Sequence, residues 1–108
     1  MKNLVLTLDP EKLQNPDLDL RYVIPDLLSA RSDGNIRDNG YDYEDQESQN
    51  PPLLAIFLIA ADFSAALKSI NQLVLTEEVL GNNLSSAATL YIEEESYRTK
   101  IPFSESLA

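Results

Sequence analysis

The run Leu53 to Ala61, nine apolar residues without a break, constrains the fold of this chain more than any other feature. It is about half of the roughly 20 residues that an apolar helix needs to cross a bilayer, so it predicts a buried element of a folded domain. Length alone does not separate helix from strand here. Pro51-Pro52 before the run and Asp62, a good helix cap, after it predict a strand followed at once by a helix. Leu, Ile, Val and Phe make up about 30 per cent of the 108 residues, above the roughly 20 per cent below which a highly charged chain stays disordered. One domain over residues 1–108 with a single core is the expectation.

The other elements follow from periodicity and punctuation. Asn3 to Leu8 reads as a strand stopped by Asp9-Pro10, because proline removes a ladder donor. Asn15-Pro16-Asp17 carries a helix-start signal, and Leu20, Val23, Ile24, Leu27 and Leu28 fall on one helical face before Ser32-Asp33-Gly34. Pro25 lies inside that pattern and predicts either a kink or a start near Ile24. In Asn35 to Gln46, Tyr41 and Tyr43 alternate with Asp42 and Glu44, the period of a half-exposed outer strand. From Phe63 onward, Ala66, Leu67, Ile70, Leu73 and Val74 form a helical apolar stripe opposite Lys68, Ser69, Asn71 and Gln72. Gly81-Asn82-Asn83 marks a turn, and Ala88, Leu90 and Ile92 alternate with Thr89, Tyr91 and Glu93 as a last main strand. Tyr97, Thr99, Ile101 and Phe103 fit one more strand, confined to an edge by Pro102.

Strand, helix, strand, strand, helix, strand is the order of an α+β domain that resembles the ferredoxin-like βαββαβ fold: a four-stranded antiparallel sheet with two helices on one face. In that topology the first and third strands are central, and here they are the most apolar. The acidic runs fall on the second and fourth strands, where charge discourages edge-to-edge association.

Composition removes most catalytic classes. The chain has no His, Cys or Trp and a formal charge of −10. Ser-His-Asp triads, Cys nucleophiles, structural zinc, His- or Cys-ligated haem and disulfides are therefore excluded. No phosphate-binding glycine motif is present. The negative charge repels nucleic acid and anionic membranes and complements a basic protein. The apolar start of the chain is cut by Asp9, too early for a signal-peptide core, and predicts a cytoplasmic protein.

The densest polar segment is Asp33 to Glu47, and five of the 18 acids lie between Asp38 and Glu47. A calcium loop with Gly40 at its sixth position would place Arg37 at a ligand position, so the register fails. Asp42 and Glu44 would project from one side of a strand about 7 Å apart, a spacing shared by every i, i+2 acid pair. No catalytic residue, cofactor or metal is expected. As a protein-recognition surface the segment offers Asp38, Tyr41, Asp42, Tyr43, Glu44, Asp45 and Glu47: rigid amphipathic rings beside charges that steer a basic partner. The competing reading has both rings lying over the core edge with only their hydroxyls wet.

The expectation is a non-enzymatic binding protein whose acidic surface docks or inhibits a basic protein partner. By size and charge the chain resembles the small acidic immunity proteins that block nuclease toxins. The alternative is a ferredoxin-like or ACT-like regulatory module that forms a homodimer and binds a small ligand.

Overall fold

A computed structural model describes residues 1–46, 51–95 and 97–103. The chain is α+β, with two helices and an antiparallel main sheet of five strands. In chain order these are β1 (Lys2–Leu8), α1 (Leu20–Arg31), β2 (Ile36–Glu44), β3 (Leu53–Ala60) and α2 (Phe63–Thr76). The small hairpin β4 (Glu78–Val79) and β5 (Asn82–Asn83) follows, then β6 (Ala88–Glu94) and β7 (Tyr97–Ile101). The sheet order is β2-β3-β1-β6-β7. The two most apolar runs thus lie inside the sheet, while β2 forms one edge.

The sheet has five strands where four were expected. Tyr97–Ile101 turns back on β6 with Glu94 opposite Tyr97 and Leu90 opposite Ile101, and Pro102 follows the last paired residue. Consequently the acidic end of β6 is not a free edge, and Glu93 stands opposite Arg98.

Strand parity divides the core. Leu4, Leu6 and Leu8 of β1 and Leu54, Ile56 and Leu58 of β3 pack on the helices, which contribute Leu20, Ile24, Leu28, Ile70 and Leu73. Truncating a side chain such as Leu6 here costs about 2–5 kcal/mol through lost transfer energy and the cavity left behind. Asn71, expected on the solvent side of α2, is buried; it flanks the stripe one residue from Ile70, and its Nδ2 donates to the Leu67 carbonyl at 2.7 Å.

Helix α1 starts at Leu20 and runs through Pro25. Its first turn is held by i→i−3 bonds, Leu20 N–H to Asp17 and Arg21 N–H to Leu18. This tighter entry lies before the turn where proline's ring and missing donor are felt. Asn15 does not cap this helix. Its backbone N–H donates to Oδ1 of buried Asn82 and its carbonyl accepts from Asn82 Nδ2, both at 2.6 Å, which clasps the loop before α1 to the β4–β5 hairpin. The helix closes as its stop signal predicts: Gly34 at φ 82 brings its N–H to the Ser29 carbonyl at 2.9 Å. Asp62 caps α2, accepting from the Ala65 N–H at 3.1 Å. An Arg31–Glu77 ion pair joins the C-terminal ends of the two helices. Among the described residues, no helix is long and apolar enough to cross a membrane.

Candidate functional site

The side of the sheet on which the β2 tyrosines fall is decided by one extra residue. Ile36 and Asp38 stand opposite Ala60 and Leu58, so they share the helix side. The register then shifts between Asp38 and Tyr41, with Gly40 at φ 98. The inserted residue reverses parity, as a β-bulge does. Tyr41 and Tyr43 therefore stand opposite Ile56 and Leu54 on the side of α1, and Asp42 and Glu44 project from the other face.

On the α1 side the rings meet Tyr22. Tyr22 and Tyr41 pack edge to face with centroids 5.9 Å apart and planes at 87°, and Tyr41 and Tyr43 repeat the arrangement at 6.0 Å and 79°. The Arg21 guanidinium carbon lies 4.6 Å from the Tyr22 ring centre and 5.3 Å from that of Tyr41. Its Nη1 donates to the Leu18 carbonyl at 3.0 Å, while its Nε is shut off from solvent without an acceptor and faces ring systems instead. Proximity to Tyr22 holds the guanidinium in its charged form, and the same contact draws the Tyr22 hydroxyl below its ordinary value. The hydrogen bond with Tyr22 pushes Tyr41 the other way. Despite these contacts Tyr22, Tyr41 and Tyr43 remain 48, 40 and 43 % exposed, and Leu18 is exposed beside them.

At the Tyr43 end this aromatic ridge meets a crevice of about 50 Å³ whose walls include Pro10, Pro16, Leu18, Tyr43 and Pro52, with Asp17 at its margin. A larger, open depression of about 960 Å³ lies at the β6–β7 end among Lys2, Asn3, Glu93, Tyr97 and Arg98.

The acids of β2 have other engagements. Asp38 accepts from the Gly40 N–H at 2.9 Å and so braces the bulge, and Asp42 accepts from the Tyr43 N–H at 2.8 Å. Glu44 is held by Arg98 through two parallel bonds of 2.7 Å, while Arg98 Nε donates to Glu93 at 2.9 Å. Arg98 holds the Glu44 carboxyl below its usual value. Register places these partners at diagonal corners: Arg98 shares a row with Glu93, Asn3 and Ile59, and Glu44 lies opposite Leu53. On a flat sheet those corners would be roughly 28 Å apart, whereas extended Arg and Glu side chains together span roughly 12 Å. The sheet is therefore strongly coiled over its helix-free face. Beneath the pair Val5 is 0 % exposed, flanked in register by Phe57 and Tyr91, with Thr7 and Ala55 also buried.

Of the sequence-predicted site residues, Tyr41 and Tyr43 stand together on one face, and Asp38 joins their side of β2 before the bulge. Asp42 and Glu44 leave for the opposite face, Asp45 is exposed two residues beyond Tyr43, and Glu47 lies outside the described residues. Sequence reasoning missed Arg21 and Tyr22. Their only signal is position: both stand off the stripe formed by Leu20, Ile24 and Leu28, on the first turn of the helix that packs beside β2. No cluster of three or more metal-binding side chains occurs among the described residues. Compared with known proteins, the chain matches no family model, no curated protein and no solved structure.

Proposed function

We propose that this chain is a non-enzymatic binding module that docks a basic protein partner on the face built by Arg21, Tyr22, Tyr41 and Tyr43. The observation that carries the reading is the exposed tyrosine ridge: three rings packed edge to face, two of them against Arg21, with each tyrosine residue 40–48 % exposed. Tyrosine and arginine dominate binding hot spots because they bury large area at low entropic cost. The charge of −10 draws a basic partner to the molecule as a whole and makes its arrival salt-dependent.

The same proposal reads β1, α1, β2, β3, α2 and β6 as a ferredoxin-like arrangement to which β7 adds an outer strand. A cysteine-free chain suits a reducing cytoplasm. Sheet-to-sheet homodimerisation through β2 is disfavoured, because its edge is bulged and pairing would bring the exposed carboxylates of Asp38 and Asp42 near those of a second copy.

Affinity capture with the immobilised chain at low and high salt tests the reading. A basic protein should be retained at low salt, eluted by high salt, and lost from a Tyr22→Ala/Tyr41→Ala variant. Equal retention by that variant and the wild type would contradict the assignment.

A further inference from the structure

The bulge that aims the β2 tyrosines is also the most reactive stretch of that strand. Asn39-Gly40 is the sole Asn-Gly step in the sequence, and it falls where the register with β3 shifts between Asp38 and Tyr41. Among the described residues, neither Asn39 nor Gly40 has a partner position in β3. β2 is an edge of the sheet, held by β3 on one side, and both residues are exposed.

An asparagine side chain is attacked by the backbone nitrogen of the next residue when that nitrogen can reach Cγ, and a side chain on the next residue obstructs the approach. Gly40 has none, and among the described residues nothing beyond its chain neighbours lies within 4 Å of where a Cβ would stand. Its N–H donates to the exposed Asp38 carboxylate at 2.9 Å, a bond that water replaces at little cost. Asp33-Gly34 differs in this respect: the Gly34 N–H is fixed to the Ser29 carbonyl at 2.9 Å where α1 closes. Every other asparagine precedes a residue that carries a side chain.

We propose that Asn39 is a site of spontaneous deamidation through a succinimide, and that its isoaspartyl product repacks the tyrosines that follow it. The Gly40 nitrogen gives its proton to solvent base and bonds to Asn39 Cγ. The Cγ–Nδ2 bond breaks, and Nδ2 leaves as ammonia with a proton taken from water. Water then opens the ring at one of its two carbonyls. Opening at Cγ restores the original backbone with an aspartyl side chain, whereas opening at the α-carbonyl leaves the chain running through Cγ, one methylene longer. Overall one water is consumed and one ammonia released, with nothing oxidised or reduced. Added length matters more here than added charge. The bulge already supplies the one residue that turns Tyr41 toward Tyr22, so a further methylene within it alters the path of the strand into Tyr41. An aspartyl side chain adds only one more carboxylate to a surface that already carries Asp38 and Asp42.

Peptide mapping by mass spectrometry, on the full chain aged in mildly alkaline buffer, tests the site. Asn39 should convert at least about tenfold faster than any other asparagine, giving both aspartyl and isoaspartyl products. The rate should rise about tenfold per pH unit, because the attacking nitrogen must lose its proton. Since the bulge leaves the step free to react, the rate in the native chain should lie within about tenfold of that in guanidinium chloride. Greater protection in the native state, or earlier conversion of another asparagine, overturns the site. Near-ultraviolet circular dichroism of the separated isoaspartyl chain tests the consequence. Its tyrosine bands should differ from those of the unaged protein, while Asn39→Asp, which adds the charge without the length, should keep them. An unchanged isoaspartyl spectrum, or the same change in Asn39→Asp, overturns the effect of length on the tyrosines.

Discussion

The two faces of β2 treat their side chains in opposite ways. On the α1 side Tyr41 and Tyr43 join Tyr22 in a ridge that stays open to solvent. On the helix-free side Glu44 is drawn across the coiled sheet into a two-bond clasp with Arg98, and Asp42 turns back on its own strand. A run of acids in sequence is thus divided in space: Arg98 neutralises Glu44, while Asp38, Asp42 and Asp45 keep their carboxylates at the surface. The strand leaves both exposed charge and two open tyrosine rings, and its alternation sends Asp42 and the rings to opposite faces.

The largest test of this contrast compares neighbouring residues of β1. Leu6 faces the helices and Val5 faces the clasp, and both are 0 % exposed. Leu6→Ala should cost about 3 kcal/mol and Val5→Ala about 2 kcal/mol in urea unfolding, if the coiled face is packed like a second small core. A Val5→Ala cost near that of a surface substitution would mean the face is open and the clasp superficial. Next in size is Gly40→Val. At φ 98 a branched side chain strains the bulge, at a cost of about 2 kcal/mol, and the changed register should alter ring packing visible in the near-ultraviolet spectrum. An unchanged spectrum and stability would remove the bulge as the device that directs the tyrosines.

The clasp itself is partly solvent-exposed, with side-chain exposures of 29 and 30 %, so Arg98→Ala should cost only about 1 kcal/mol at pH 7 after screening. Its pH dependence has a definite sign. Arg98 lowers the folded-state value of Glu44 from the ordinary 4.5, so the contribution is complete above that value and disappears as pH falls through the lowered one. The stability gap between wild type and Arg98→Ala should therefore be constant from pH 7 to about 5 and close in more acid solution. A gap that persisted below the lowered value would show that Arg98 stabilises by packing on Tyr91, whose ring centre lies 6.0 Å from the guanidinium carbon, more than by charge.

Much of this architecture is legible in the sequence because it depends on local pattern. The run after Pro51-Pro52, the Asp62 cap and the Tyr41–Tyr43 alternation all appear where periodicity and capping place them. The start of α1 is not legible, since Asn15 and Pro16 make a good local cap signal but Asn15 is taken by buried Asn82, 67 residues away. Tertiary bonding overrides local preference there. The candidate site divides in the same way: alternation shows that the two tyrosines share a face, but only the bulge at Gly40 decides which one. The meeting of Tyr22 with Tyr41, and of Glu44 with Arg98, depends on helix placement and sheet coiling, which leave no mark in residue spacing.

The difference between the two faces is tested most directly by comparing binding of a basic protein captured at low salt to Tyr22→Ala/Tyr41→Ala and to Asp42→Asn/Glu44→Gln, whose carboxylates project from the opposite face, each at low and high salt. Loss of binding by at least about 100-fold in the tyrosine variant is expected, as for paired hot-spot residues. The amide variant should stay within about threefold of wild type and show a weaker salt dependence. Loss of binding in the amide variant with retention in the tyrosine variant would contradict the assignment and return the function to the acidic run.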